Sequence, residues 1–365
     1  MRGSVGRTAA LRRHGAWLVG LAGAALALAA AGPAAQPKPR LVVLATGGTI
    51  AGSAKSETDA GYKAGALAVD VLIEAVPQAR EIATLRGEQV ASIGSQDMND
   101  EVWVKLARRA NELLAAPDVD GVVVTHGTDT LEETSYFLHL VLKSDKPVVM
   151  TGSMRPATAM SADGPLNIYN AVAVAADPSS RGRGVLVVVN DDIHSAHDVV
   201  KTHTTDVQTF SSGEPGLVGV TLFGRQEFYR APSAPHTTTS ELALPADGKL
   251  PRVDIVYAHA GMSPDLIDAA VANGARGIVV AGVGDGNMTA PALEAVRRAV
   301  TKGVAVVRAS RVGQGIVRRN VEVDDDALGT IASMELHPAK ARVLLKLALL
   351  KTSERAALQR YFDRY

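Results

Sequence analysis

The chain has no cysteine among its 365 residues. Disulfides are therefore excluded, and stability has to come from packing and, in an exported protein, from subunit association. An excess of charge of either sign is also missing, since 38 lysines and arginines balance 38 aspartates and glutamates. No global field draws the protein to nucleic acid or to an anionic membrane surface, and a small polar substrate suits it better. Long uncharged apolar runs are absent too, apart from one over residues 16–31. That run follows Arg2, Arg7, Arg12 and Arg13, precedes the small pair Ala34-Ala35, and is short for a bilayer-spanning helix of ~20 residues. Residues 1–35 read as a secretory signal peptide, with cleavage expected after Ala35 and Ala31 as the alternative. The mature chain is expected to be exported, with no membrane association after cleavage.

About 330 residues remain, which implies roughly two domains. Apolar, branched runs at 41–45, 121–124, 147–150 and 184–189 read as buried strands, and residues 100–114 place apolar side chains at helical spacing. Alternating strands and helices imply a parallel sheet covered on both faces. Pro232, Pro235, Pro245 and Gly248, set among serines and threonines, mark a linker over 230–251. Beyond it, strands are expected at 253–257, 277–280 and 304–307. Helices are expected from Ser263-Pro264 to Gly274, over 292–300, and last over 338–350. The fold class is α/β: a larger N-terminal, flavodoxin-like parallel-sheet domain over 36–229 and a smaller C-terminal α/β domain over 252–365.

Two threonine-glycine segments stand directly behind strands: Thr46-Gly47-Gly48-Thr49 and Thr125-His126-Gly127-Thr128-Asp129-Thr130. Open α/β sheets bind ligands at the carboxyl ends of their strands, so these are site loops, and their hydroxyls suggest acyl chemistry. In the first loop either Thr46 or Thr49 is a candidate nucleophile. A phosphate cradle is the competing reading, but the P-loop lysine is missing and the spacing is not that of a dinucleotide fingerprint. Gly282-Val283-Gly284-Asp285-Gly286 fails the fingerprint as well. In the second loop, Thr130 and Glu133 form a capping-box sequence, which leaves Thr128 and Asp129 free to face the strand end. Amide groups at that helix start suit a developing oxyanion. Two further polar segments belong with these loops, residues 94–100 and 198–206. The second carries Lys201, which can accept a proton once burial lowers its pKa. His126, His194, His197 and His203 keep no metal-ligand spacing, and neither a metal nor a cofactor is expected.

Taken together, Ala45-Thr46-Gly47-Gly48-Thr49-Ile50-Ala51-Gly52 and His126-Gly127-Thr128-Asp129-Thr130-Leu131-Glu132-Glu133-Thr134 resemble the bacterial type II L-asparaginases and glutaminase-asparaginases. The likeness covers nearly all of the chain after the signal, and includes Gly94-Ser95-Gln96-Asp97, Met154-Arg155-Pro156, Lys201-Thr202 and Glu322-Val323-Asp324-Asp325. It implies two-step hydrolysis of an amino-acid side-chain amide, L-asparagine in the first instance, with comparable action on L-glutamine as the alternative. Thr49 matches the nucleophile, and Tyr62 the tyrosine of a mobile loop that closes over the substrate. Thr128, Asp129 and Lys201 match the second catalytic set, suited to proton transfer. Ser95 matches a holder of the substrate α-carboxylate, and Gln96 with Asp129 a holder of its α-ammonium. Glu322 matches a glutamate that reaches a neighbouring subunit's substrate, which implies a homotetramer built from intimate dimers. Gly261 stands where many relatives carry asparagine, and His197 and His203 replace common arginine and asparagine, so substrate choice and the pH profile are expected to respond to them. A non-catalytic receptor for acidic amino acids would use the same clamps, but has no use for Thr49, Tyr62, Thr128 and Lys201 together.

Overall fold

The computed structural model describes residues 37–58 and 61–365, so the leader read at 1–35 lies outside the described residues. The larger sheet has eight strands: β1 (Arg40–Gly47), β2 (Thr84–Ile93), β3 (Gly121–Thr125), β4 (Val148–Thr151), β5 (Val185–Val189), β6 (Asp192–Ser195), β7 (Gly219–Leu222) and β8 (Arg225–Phe228). Their order is β8-β7-β6-β5-β4-β3-β1-β2. β1 lies between β2 and β3, and pairs run parallel from β2 across to β5. The sheet is not parallel throughout, because β6, β7 and β8 extend it antiparallel.

The reason lies in two tight turns. Val189 pairs with Asp192 across Asn190 and Asp191, whose φ values of 51° and 68° define a two-residue hairpin turn. Asn and Asp tolerate that left-handed backbone, so the chain reverses there instead of crossing over. Phe223 and Gly224 repeat the device between β7 and β8, at φ 49° and 78°.

Both faces of the larger sheet are covered. Leu41, Val43 and Ala45 of β1 pack with Ile168, Ala171 and Val172 of the helix Gly164–Ala176, while Val42 and Leu44 face the opposite way. That second side is covered by the helices α1 (Asp100–Ala115) and α2 (Leu131–Val141), which contribute Trp103, Leu106, Phe137 and Leu138. Side chains alternating onto two covered faces, with Leu41 to Gly47 all buried, are what a central parallel strand requires. Asn99 starts α1 by accepting from Val102 N at 3.1 Å.

Residues 230–251 hold no strand or α-helix, only the short 3-10 turn Thr237–Thr239. The second sheet follows, with Val253–Tyr257, Gly277–Gly282, Ala305–Ser310 and Ile331–Ala332 all parallel and in that order. Its helix α3 (Pro338–Ala348) puts Val343, Leu344 and Leu347 into the same core as Val42, Val122 and Leu138 of the larger sheet. One continuous core therefore joins the two sheets. The chain does not stop at the helix that follows Pro338: α4 (Arg355–Arg364) comes after it. Its apolar stripe is thin, with Leu358 and Phe362 buried and Tyr361 packed beside them, which hides the helix in a charged sequence, and Glu354 caps it by accepting from the amides of Ala356 and Ala357.

Candidate active site

The loops behind β1 and β3 touch backbone to backbone. Gly48 has φ +80°, and a Cβ there would collide with Cα and N of Gly127. Glycine alone allows this contact, which sets Thr49 beside the loop that carries Thr128. The two hydroxyls of the first loop then separate in role. Thr46 is buried and donates to Thr125 O at 3.0 Å, tying β1 to β3. Thr49 Oγ1 instead shares a 2.7 Å hydrogen bond with the hydroxyl of Tyr62. Tyr62 sits on a short ribbon in which Ser53 and Ala54 pair antiparallel with Lys63 and Tyr62, and its ring lies over Gly52.

Behind β2, the turn Ser95–Asp97 buries Ser95 against Gly127. Ser95 Oγ accepts from Asp129 N at 3.2 Å, and Ser95 O accepts from Thr130 Oγ1 at 2.8 Å. Gln96 is exposed, its amide folded back beside Gly94. Thr130 thus serves the neighbouring loop, and the expected capping box does not form. Its side chain makes no cap hydrogen bond, and Glu133 pairs with Arg342 Nη1 at 3.3 Å. A 3-10 turn over Thr128–Thr130 precedes the helix, and Thr130 enters it at φ −127° and ψ 19°.

Lys201 comes from a different part of the chain, on the two-residue strand Val200–Lys201 paired with Phe210–Ser211. Its Nζ donates to Thr128 Oγ1 at 2.9 Å and to Asp129 Oδ1 at 2.6 Å, with the lysine largely buried and the aspartate open to solvent. At its other end the Lys201 backbone N–H donates to Glu132 Oε2 at 2.7 Å. Glu132 is buried, and nothing in the sequence pattern assigned it a duty. Its one legible signal is position: it follows Asp129 by three residues, one helical turn on.

Behind this wall lies a set of buried ionisable groups. Lys340 of α3 is buried, and its Nζ donates to His197 O at 2.6 Å. Burial pulls its pKa down to about 8, against the attraction of Glu132 and Asp198. His197 bonds Asp198 through Nδ1 at 2.6 Å and Tyr365 O through Nε2 at 2.9 Å. Burial alone would raise the Asp198 carboxyl, but His197 and Arg230 hold it down to about 2. His126, beside the second loop, shares a hydrogen bond with Gly127 O at 2.7 Å, and burial lowers its pKa to about 4.

Thr49 with Tyr62, and Thr128 with Asp129, Lys201 and Ser95, are thus brought to adjoining loops at one edge of the larger sheet. Glu322 stands apart. It is exposed, ahead of the short helix Asp325–Leu328, and makes no hydrogen bond or ion pair to those residues within the chain. His197 and His203 make no hydrogen bond to Lys201. His203 Nδ1 instead accepts from the amides of Thr205 and Asp206 at 3.1 and 2.8 Å. Gly261 lies in an open turn at φ +70°, with nothing beyond its two chain neighbours within 4 Å of where its side chain would begin. No group of three or more His, Cys, Asp or Glu side chains suited to a metal ion occurs among the described residues.

Two threonine-bearing loops in contact, a hydroxyl tied to an amine and a carboxylate, and a two-sheet α/β arrangement are the frame of an amidohydrolase. The chain belongs to the asparaginase family: residues 40–234 match the family description Asparaginase, N-terminal, and residues 252–362 match Glutaminase/Asparaginase C-terminal domain. It is 50% identical over 325 residues to the probable periplasmic L-asparaginase of Haemophilus influenzae, covering 89% of this chain and 93% of that one. It is 44% identical over 327 residues to the glutaminase-asparaginase of Pseudomonas fluorescens, covering 89% and 90%. Among solved structures, the probable cytoplasmic L-asparaginase of Campylobacter jejuni matches at TM-score 0.88 and 46% identity, covering 90% of this chain and 100% of that one.

Proposed function

We propose that this enzyme hydrolyses the side-chain amide of L-asparagine to L-aspartate and ammonia through an acyl-enzyme on Thr49. The observation that carries the reading is the bonding of Lys201 Nζ to both Thr128 Oγ1 and Asp129 Oδ1, on a loop in contact with the Thr49 loop. Thr49 Oγ1 attacks the amide carbon, its proton passing to the Tyr62 oxygen as the phenol hands its own proton on toward the amide nitrogen, and amide N–H groups near Thr128 stabilise the oxyanion. Collapse of the tetrahedral intermediate breaks the C–N bond, the nitrogen leaves as ammonia with the transferred proton, and an ester on Thr49 remains. Water then adds to the ester, its proton entering the Thr128–Lys201 pair, and that pair returns a proton to Thr49 Oγ1 as the ester C–O bond breaks and aspartate leaves.

Asp129 has a double part in this scheme. Substrate ammonium competes with Lys201 for its carboxylate, which loosens the carboxylate's hold on the lysine charge. Ser95 takes the α-carboxylate, and Gln96 joins Asp129 at the ammonium. Fixing both groups orients the amide and disfavours simple aliphatic amides. Glu322 meets the ammonium of a neighbouring subunit's substrate, so the working form is a homotetramer of intimate dimers. The leader read at residues 1–35, together with the name of the Haemophilus relative, supports a periplasmic location.

Ammonia release from L-asparagine and L-glutamine, measured side by side on protein lacking residues 1–35, tests the reading. Preference for asparagine, abolished in T49A and T128A, is the expected result. Equal efficiency on the two amides moves the protein to the glutaminase-asparaginases, and full activity in both variants overturns the mechanism.

A further inference from the structure

Lys201 is gripped at both ends by one short stretch of chain. Thr128 and Asp129 take its ammonium at 2.9 and 2.6 Å, and Glu132, at the start of α2, takes its backbone N–H at 2.7 Å. The strand that carries Lys201 is only two residues long, and its sole ladder partner among the described residues is the equally short Phe210–Ser211. Such a ribbon is marginal by itself, and a lysine side chain keeps several rotatable bonds between Cα and Nζ. A backbone anchor is what converts that reach into a fixed position.

We infer that Glu132 is a positioning residue for the amide hydrolysis, holding the Lys201 main chain so that its amine stays on Thr128. The inference rests on the proposed role of Lys201 and adds to it a third residue, in the first turn of the helix that follows the Thr128 loop.

The competing account makes Glu132 a charge partner and nothing more. Lys340 and His337 lie behind it, burial lowers the pKa of each, and in both cases the Glu132 charge opposes the lowering. The two accounts separate because one needs the reach of the side chain and the other needs its charge. Glu132→Asp keeps the charge and withdraws the carboxylate by one methylene. Glu132→Gln keeps the reach and an acceptor oxygen, and discards the charge.

The experiment measures kcat and KM on L-asparagine, together with Tm, for E132D, E132Q, K201M and the double variant E132D/K201M, all as full assemblies checked by sedimentation. Positioning predicts that E132D loses kcat by up to about 10²-fold, the scale of a displacement of about 1 Å in a catalytic group, with KM nearly unchanged. E132Q recovers most of that rate although its Tm falls further than that of E132D, because Lys340 loses its compensating charge. E132D/K201M is no slower than K201M alone, since the aspartate variant acts through the lysine. Wild-type kcat in E132D, a rate in E132Q as low as in E132D, or additive losses in the double variant overturns the inference. Undiminished kcat in K201M instead overturns the proposed role of Lys201 itself, so the two failures are distinguishable.

Discussion

Arg308 and Asp325 form a two-point ion pair with neither side chain reaching solvent, Nε to Oδ1 spanning 2.6 Å and Nη2 to Oδ2 2.7 Å. The remaining guanidinium donors go to the carbonyls of Asp285, Gly286 and Arg318, and Asp325 also accepts from Asn320 N at 3.0 Å and Thr330 Oγ1 at 2.5 Å. Two loops and the short helix Asp325–Leu328 are thus pinned to one guanidinium, and one of the loops carries Glu322.

Because burial of an ion pair roughly offsets its attraction, the pair contributes more to loop geometry than to stability, whereas removing one partner strands a charge. Asp325→Ala is expected to cost about 3–5 kcal/mol in urea unfolding. The double change to Arg308→Met with Asp325→Leu should lie closer to the parent than either single change. A single variant with an unaltered urea midpoint would contradict this.

Tyr62 is bonded to the Thr49 hydroxyl, and its phenol is half exposed, so replacing it perturbs chemistry more than folding. Tyr62→Phe should lower kcat by about 10²-fold or more, the usual scale of a lost proton-transfer partner, while Tm stays within a few degrees. Stopped assays of ammonia release decide the point, and a kcat within threefold of the parent would remove Tyr62 from the proton path.

Gly48 cannot carry a side chain without parting the two site loops. Gly48→Ala adds backbone strain of about 1–3 kcal/mol at a positive φ to the collision with Gly127, and activity should fall with stability. The neighbouring change Gly127→Ala meets Ser95 Oγ at 2.5 Å and Ser95 Cβ at 2.8 Å, displacing the proposed carboxylate site. It should raise KM more than Gly48→Ala does. Equal KM values for the two variants and the parent would show that the loops have more room than these contacts allow.

Burial lowers His126 and His194 to about 4, and His139 well below its ordinary value. The folded state thus prefers these imidazoles neutral. Their contribution is full above the unfolded pKa of about 6.5 and is lost progressively as pH falls through the folded values. For His126 and His194 the loss is at most about 3 kcal/mol each. Asp198, held to about 2, keeps its stabilising charge across the same window and does not offset the loss. Urea midpoints taken at half-unit steps should decline steadily from pH 6.5 to 4. A flat profile there would mean the histidines ionise without unfolding cost.

The strand that begins the second sheet was legible because Val253, Ile255, Val256 and Tyr257 cluster around the single charge of Asp254, and α1 because residues 100–114 place apolar side chains at helical spacing. The site loops were legible for the same local reason, as glycine and threonine directly behind apolar runs. What escaped was long-range or written in unusual letters. Asn190-Asp191 and Phe223-Gly224 are hairpin turns without the Asn-Gly signature, so three antiparallel strands went unseen. Thr130 and Glu133 had the letters of a capping box, yet tertiary partners, Ser95 and Arg342, claimed both side chains. The contact of Glu132 with Lys201 spans 69 residues and ends on a backbone amide, which leaves no trace in residue type.

The shared core has a practical corollary for chain cleavage. Ala246, Asp247 and Lys249 form an exposed turn in the segment between the sheets, open to a protease. A cut there severs the polypeptide but not the packing of α3 on α2, nor the hold of Lys340 on the segment before Lys201. The nicked molecule should remain one body and keep its catalysis, with the break visible only after denaturation.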